Sequence, residues 1–504
     1  MANCKRYKVA AIDLGTVSSR LVLAQVEAGA IVESSKHTEI TDLGEGVDAT
    51  GRFCEAAVER VLAACRMFVA EARAFGAACI CTTCTSAARD ASNAALLLDG
   101  LSDVTVRFAP GAVLLMDNLQ KDGKGGGHGV VVRGPAANIR LENVHVKWAV
   151  KAGARSSGDA FRFEGFPDDA KTISRIYLLN CTGENSPQTG AVFMGCSDIF
   201  VNNFSPVNTW ADGLHFNACR RVSVDGVRGI GNGDDTLAFV TYYAEKFTGQ
   251  TGTVFSFPDL NEWCNSDSNA VNITSHDGHA NGMRISGGFN INVSNIAVSG
   301  KWAGIQLDAA RATTESRAVG WGYLASRNIN ISNASIRDCD MGLIVRSLNI
   351  LPDAPSENWE FALNVNNLNV CRIKGLGIDI QSVAGVTLSN VRSDSRIRLR
   401  NLRGRIAFAN LSLTGAPLEL LGIQGSRFFG YEHNMEPKPV EAASPAEIAA
   451  GNLHLTGLDL RNAPLSIDRI AGLTLTDSRT DSAVTIRTSR DVELRGFRTA
   501  AAPA

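Results

Sequence analysis

From about residue 101 onward, short β-branched and aliphatic runs recur between clusters of Asn, Asp, Gly and Ser. "NIRLENVHVKW" (138–148), "ISRIYLLNCTG" (173–183), "CSDIFVNNFSPV" (196–207) and "CRRVSVDGVRG" (219–229) open the series. "FNINVSNIAVSG" (289–300), "SRNINISNASIRD" (326–338) and "AGVTLSNVRSDS" (384–395) continue it, and "SRDVELRGFRT" (489–499) closes it. Helical spacing nearly vanishes here, and the β-branched character of the runs predicts strands. Neighbouring runs start at 196 and 219, at 269 and 289, and at 470 and 489, a period of roughly 20 residues. The wider gap from 229 to 269 implies an inserted loop. A strand repeat of this period predicts a β-solenoid. The Leu frame of leucine-rich repeats is absent, and a sandwich would show shorter hairpin spacing. The Asn residues of "VNN", "ISN" and "LSN" suit solenoid corners, because Asn tolerates left-handed backbone and its amides can stack from coil to coil.

Residues 1–98 follow a different pattern. "YKVAAIDLG" and "SRLVLAQVEAG" read as strands meeting at a Gly turn, and "GAIVESSKHTEITDL" as a third. "CEAAVERVLAACRMFVAEARAFG" carries apolar residues at helical spacing and ends on Gly76, a suitable helix C-cap. "ACICTTCTS" is strand-like again, and "AARDASNAALLL" (87–98) reads as helical. The chain therefore divides into an α/β segment, 1–98, and a solenoid domain, 99–504.

Composition narrows the picture only a little. Hydrophobic content of 45% and charged content of 20% over 504 residues describe an ordered chain. Lys+Arg 49 against Asp+Glu 51 favours neither nucleic acid nor a membrane surface as partner. No run of about 18 apolar residues predicts a membrane span. The start, "MANCKRYKVAAIDLG", reaches Asp13 too soon for a secretory leader, so the chain as written is expected in the cytoplasm, as a monomer. The 12 Cys residues form no disulfide framework, and "CICTTC" (79–84) is read as buried strand thiols rather than a metal site. His276 and His279 lack a third ligand, so no metal and no cofactor is expected.

Candidate chemistry concentrates in "ADGLHF" (211–216) and "GDDTLAF" (233–239). The step from Asp212 to Asp234 is close to one coil, and adjacent coils stand about 4.8 Å apart along a β-solenoid. The two carboxylates should then share a face. Such a pair can protonate a glycosidic oxygen and activate water, and neighbouring acids raise one another's pKa. The plain alternative is that these are polar turn residues of a ladder. Trp210, Trp263, Trp302 and Trp321, with nearby Tyr and Phe residues, flank the segments and offer flat faces for sugars or for loop packing.

Two resemblances extend this reading. "NTWADGLHF" (208–216), "GNGDDTLAF" (231–239) and "SHDGHANGMRISGG" (275–288) resemble the acidic and His segments of polygalacturonase-like family 28 glycoside hydrolases. The resemblance implies a right-handed parallel β-helix acting on a polysaccharide outside the cytoplasm. It implies Asp212 or Asp234 as general acid, the other acids with Asp235 activating water, His279 tuning the acid, and inversion with a carboxylate separation of about 6.5–9.5 Å. His215 and Arg284 are candidate substrate contacts, His215 standing where the family has a further Asp. The family's Arg-x-Lys segment falls near "GIQLDAA" (304–310), where Gln306 and Asp308 occupy the two positions. A neutral or differently charged glycan then becomes a candidate beside uronate. The rivals are a polysaccharide lyase and a non-catalytic glycan-binding solenoid.

"AIDLGTVSSRL" (11–21), "DLGEGVDATGRF" (42–53) and "TSAARDASN" (85–93) resemble the N-terminal part of the exopolyphosphatase and guanosine pentaphosphate phosphatase family, within the actin-like ATPase superfold. By that resemblance Asp13, Gly15, Thr16, Ser18 and Arg20 lie near phosphate, and Arg89 serves a polyanion. The family's Glu-bearing loop and second Gly-rich loop do not follow, so the segment is a truncated α/β unit. A phosphatase is a fourth functional reading, resting on that segment alone.

Overall fold

The computed structural model describes residues 6–50, 53–84, 96–165, 171–241, 264–310, 326–348, 359–402, 404–422, 426–430, 438–442 and 449–499. Most of the chain winds into a parallel β-helix. Each coil contributes a long bent strand to one sheet and a short strand, such as Leu214–Asn217, to a second. Among the described residues the second sheet has 14 strands, running in chain order from Leu96–Asp99 to Val484–Arg487, so each strand marks one coil. Among these residues no helix is long and apolar enough to cross a membrane.

In-register stacking explains the sequence pattern. Phe163 pairs with Phe193, Phe193 with Phe216, and Phe216 with Phe239 along the second sheet. Their rings stack at centroid distances of 4.2, 5.2 and 5.0 Å in the solenoid interior. Ile285, Leu307, Val345 and Ile380 continue the column. Each coil thus buries its apolar residues against the same positions of its neighbours.

The corners use Asn, as expected. Asn180, Asn203, Asn272, Asn295, Asn333 and Asn367 have φ between 52° and 61°. Their amides form an exposed ladder: Asn203 donates to Asn180 at 3.1 Å, Asn295 to Asn272 at 3.1 Å, and Asn367 to Asn333 at 3.0 Å. Gly226 stands in this column with φ 85°, where an added Cβ would lie 2.8 Å from Asn203 Oδ1. Left-handed backbone beneath a neighbouring amide leaves room only for Gly.

The N-terminal segment is an antiparallel meander, Tyr7–Leu14, Ser18–Glu27 and Ala30–Ile40, backed by the helix Glu55–Phe75. Ala10, Ile12, Leu21, Ala64, Phe68 and Ala72 form its small core. The helix ends on Gly76 with φ 79°, whose N–H reaches Arg73 O. Cys79–Cys84 pairs in parallel with the first strand and bridges through Cys81 to Thr105 of the solenoid. The meander therefore continues the long sheet and covers its first coil.

Two expectations change here. The end of the run read as helical, Leu96–Asp99, is a strand pairing Leu96–Leu98 with Val130–Val132. The run ends in a parallel strand on the edge of the second sheet, with Leu98 buried, and tertiary pairing overrides the helix propensity of Leu. The rest of that run, 85–95, lies outside the described residues. Cys81 is exposed rather than buried, because the helix covers only one face of the meander.

Truncating Phe216 to Ala removes the middle of the ring stack. The variant is expected to lose about 3–5 kcal/mol of stability, read from its urea denaturation midpoint.

Candidate active site

The turn entering the second sheet carries one repeated position. Register places Asp212 of the coil containing Leu214–Asn217 over Asp235 of the coil containing Leu237–Val240, because Leu214 pairs with Leu237 and Phe216 with Phe239. Asp235, not Asp234, is therefore the counterpart of Asp212, and the coil is one residue longer here than the step from Asp212 to Asp234. The same position is Asp159 and Thr189 in the preceding coils and Asn281 in the following one. At this corner the backbone ladder opens and side chains take over. Asp235 N–H donates to Asp212 Oδ1 at 3.0 Å, and Asn281 N–H donates to Asp235 Oδ1 at 3.1 Å. Asp159 accepts the Thr189 N–H at 3.1 Å in the same way. The buried carboxylates of Asp159, Asp212 and Asp235 thus each satisfy a donor of the next coil.

Asp234 adds the third carboxyl. One oxygen from each of Asp212, Asp234 and Asp235 lies within 4.8 Å of the others. Asp212 and Asp235 are buried, whereas the Asp234 side chain keeps 29% of its surface and meets Arg155 Nη1 at 2.7 Å. The nearest oxygens are closer than the separation of about 6.5–9.5 Å expected of an inverting pair. Turns stacked on adjacent coils hold Asp212 and Asp235 about one interstrand spacing apart.

Each acid has a distinct electrostatic setting. Burial would raise the Asp212 pKa, but the adjacent His215 charge and hydrogen bond win, and Asp212 is held below the usual carboxylate range. His215 Nδ1 meets Asp212 Oδ2 at 2.7 Å and Nε2 meets Val240 O at 3.1 Å. Acceptors face both ring nitrogens. Burial opposes the imidazolium, yet Asp212 attracts it more strongly and the pKa rises. Burial and the Asp212 charge raise Asp234, against Arg155 and Arg284. Burial, then Asp234 and Asp212, push Asp235 up to about 8. The triad titrates as one coupled unit that retains a proton on the Asp234–Asp235 pair at neutral pH.

The protein also supplies the counter-charges. Lys301 is buried and donates to Asp234 O at 2.8 Å and Asn232 O at 3.1 Å. Burial lowers its pKa to about 8, although Asp235, Asp234 and Asp212 act in the opposite direction. The three acids are close enough to share a cation, and His215 and Arg155 already pair with Asp212 and Asp234.

The other sequence candidates fall differently. His279 is exposed, two residues before Asn281, and among the described residues its ring makes no hydrogen bond. The coil register puts Asn281, not His279, against Asp235, with Asn281 Nδ2 at 2.7 Å from Asp235 Oδ1. His215 is no substrate contact, since it is buried and both ring nitrogens face protein oxygens. Arg284 lies on the outer face of the second sheet, bound to Asp308 Oδ2 at 2.9 and 3.1 Å. Arg346 reaches Asp308 Oδ1 at 2.9 Å, and Gln306 reaches Oδ2 at 2.6 Å. Gln306 and Asp308 thus fasten two arginines to the sheet. Trp210 fixes a loop, its Nε1 donating to Ala152 O at 2.7 Å, and that loop brings Arg155 over Asp234. Trp302 is 37% exposed. Tyr242, Tyr243, Phe247, Trp263, Trp321 and Tyr323 lie outside the described residues. Sequence reasoning missed Arg155, Asn281 and Lys301. Aligning "DGLHF" with "NGMRI" would have found Asn281; no local signal marks the other two.

Residues 22–105 match the Ppx/GppA phosphatase family. Exopolyphosphatase 2 of Mycobacterium tuberculosis is 38% identical over 109 residues, covering 21% of this chain and 34% of that protein. The chain spans about a third of the length of the curated relatives it matches. Over nearly the whole chain, the fold is similar to the family 28 exopolygalacturonase of Yersinia enterocolitica, at 12% identity and a TM-score of 0.43, covering 96% of this chain and 84% of that one. The polygalacturonase of Erwinia carotovora is similar at 11% identity and a TM-score of 0.34, over 70% and 89% of the respective chains.

In the phosphatase-like segment, Asp13, Gly15, Thr16, Ser18 and Arg20 lie on one hairpin. Asp13 pairs with Arg20 across the strands, and Gly15 N–H donates to Ser18 O at 3.0 Å. Gly44 N–H donates to Thr16 O at 2.8 Å, closing the hairpin against the 42–44 turn. Arg89 lies outside the described residues.

The Asp235 shift has a stability consequence. A carboxyl whose pKa rises on folding leaves the folded state holding the extra proton between about pH 4 and 8, so stability falls as pH rises through that window. Asp235→Asn is expected to flatten the decline. Thermal midpoints of both chains at pH 5 and pH 8 check this.

Proposed function

We propose that the β-helix domain is a glycoside hydrolase whose Asp212–Asp234–Asp235 cluster cleaves a polysaccharide by acid/base catalysis. The observation that carries the reading is the convergence of three acids in unlike settings, one held ionised and a pair retaining a proton. Asp234 is the accessible member, so it is assigned as the acid that protonates the leaving glycosidic oxygen. Asp212, kept anionic by His215, accepts the proton of the attacking water, with Asp235 beside it. Of the two candidates for the acid, exposure thus favours Asp234 over Asp212.

The surroundings fit a sugar chain. Trp302 falls in the column of Asp234, two coils along, since Asn281 pairs with Ala303. Its exposed ring lies about 10 Å from that turn along the axis and offers a stacking face. Arg284 and Arg346 are buried against Asp308, so, like His215, they are placed as structural groups rather than substrate contacts. Arg155, half exposed beside Asp234, keeps acidic glycans among the substrates to screen, beside neutral ones.

For the N-terminal segment we infer a capping role. Its sheet continues the solenoid through Cys81 and Thr105, and the next described strand, Leu96–Asp99, already belongs to the β-helix. Among the described residues no second phosphate loop faces the hairpin.

Screening polysaccharides for reducing-end release tests the proposal. Asp234→Asn is expected to slow release by about 10²–10⁴-fold. Equal release from native and variant chains would sink the assignment of Asp234. Products absorbing as unsaturated uronides would indicate a lyase instead, and affinity without release a binding solenoid.

A further inference from the structure

The column one step ahead of Asp234 runs Gly233, His279, Lys301 and Cys339 through successive coils, by the pairings of Asn232 with Gly278, Asn281 with Ala303 and Ala303 with Met341. His279 turns outward, but Lys301 turns inward and is 2% exposed. Its Nζ bonds to Asn232 O and Asp234 O, which lie two coils away. The intervening coil makes this reach possible because its corner is Gly278-His279-Ala280. Ala280 stands where Asp234 stands one coil earlier. At Gly278, φ is 107° and an added Cβ would lie 2.1 Å from Asn232 O. His279 N–H meets that same oxygen at 2.9 Å.

We propose that Lys301 is a positioning residue for the acid cluster: its ammonium, threaded past the small Gly278–Ala280 corner, ties down the Asn232–Asp234 turn and fixes the Asp234 carboxyl in the groove. The proposal rests on the hydrolase reading for its purpose, though not for its geometry. An ammonium that bridges two carbonyls of one turn restrains the peptide entering Gly233 and the peptide linking Asp234 to Asp235. It also places a positive charge close enough for Asp235, Asp234 and Asp212 to act on it. The other charged or titratable groups acting here are Asp212, Asp234, Asp235, His215, Arg155 and Arg284, with His279 and Cys339 in the lysine's own column. Arg155 meets Asp234 from a loop and is half exposed, whereas Lys301 acts from within the coil stack.

The test compares the full-length native chain with Lys301→Met and Lys301→Arg, each labelled with carboxyl-¹³C aspartate and followed by NMR across pH. In Lys301→Met the Asp234 and Asp235 midpoints are expected to rise by about one unit or more, a tenfold weakening of acidity. In Lys301→Arg, which keeps the charge, they are expected to stay near native values. If Lys301→Met does not fold, Lys301→Gln makes the same comparison. Unchanged midpoints in a folded neutral variant would overturn the proposal. On a substrate that the native chain cleaves, the Met variant should lower kcat with KM retained and move the pH profile. Shifted midpoints in a chain that cleaves nothing would support the Lys301 role and overturn only the hydrolase reading.

Discussion

The structure depends on parallel pairing in strict register between successive coils. Because every strand pairs with its equivalent one coil away, side chains at matching positions form columns parallel to the axis. Columns of apolar residues make the core, columns of Asn make the corners, and one column of Asp, Thr and Asn makes the candidate site. Nothing else in the molecule brings Asp212 and Asp235 together, since a full coil of chain separates them and they belong to different turns. Extra residues between coils leave the columns intact, as shown where Leu237 pairs with Met283, with residues 242–263 lying outside the described residues.

Register also explains how three acids can coexist in a buried corner. Asp212 and Asp235 each accept a backbone N–H from the following coil, so they serve the fold as well as any chemistry. The cost of grouping their charges is offset by cations from three separate places. His215 comes from the strand after Asp212, Arg155 from an earlier loop, and Lys301 from two coils further on. The acids are therefore held by the whole local stack rather than by one motif.

The fold was largely legible from residue 101 onward, because β-branched runs at a regular repeat report the coil directly. The acid cluster was legible in outline. Its register was misjudged by one residue, since "ADG" and "GDD" look alike, while the true match is Leu-x-Phe at 214–216 and 237–239. His279 draws attention over Asn281 for a similar reason: a His next to Gly is conspicuous, whereas the match of "DGLHF" to "NGMRI", which the pairing of Leu237 with Met283 bears out, is a quiet signal. Lys301 and Arg155 were not legible, because their reach depends on the empty space at Gly278 and on a loop anchored by Trp210. Leu96–Leu98 misled as a helix end because three Leu residues carry no periodicity of their own.

The column that holds Asp159, Thr189, Asp212, Asp235 and Asn281 has one further meaning. Its five slots share the same backbone frame, so a constellation built on two of them is portable by whole coils along the axis. Asp159 already has its own basic neighbours, Arg162 at 2.8 Å and His128 at 3.2 Å, and a single hydroxyl, Thr189, separates it from Asp212. A solenoid of this kind stores its candidate site as an address along a line, and changing side chains at a neighbouring address would relocate the cluster without redesigning the scaffold.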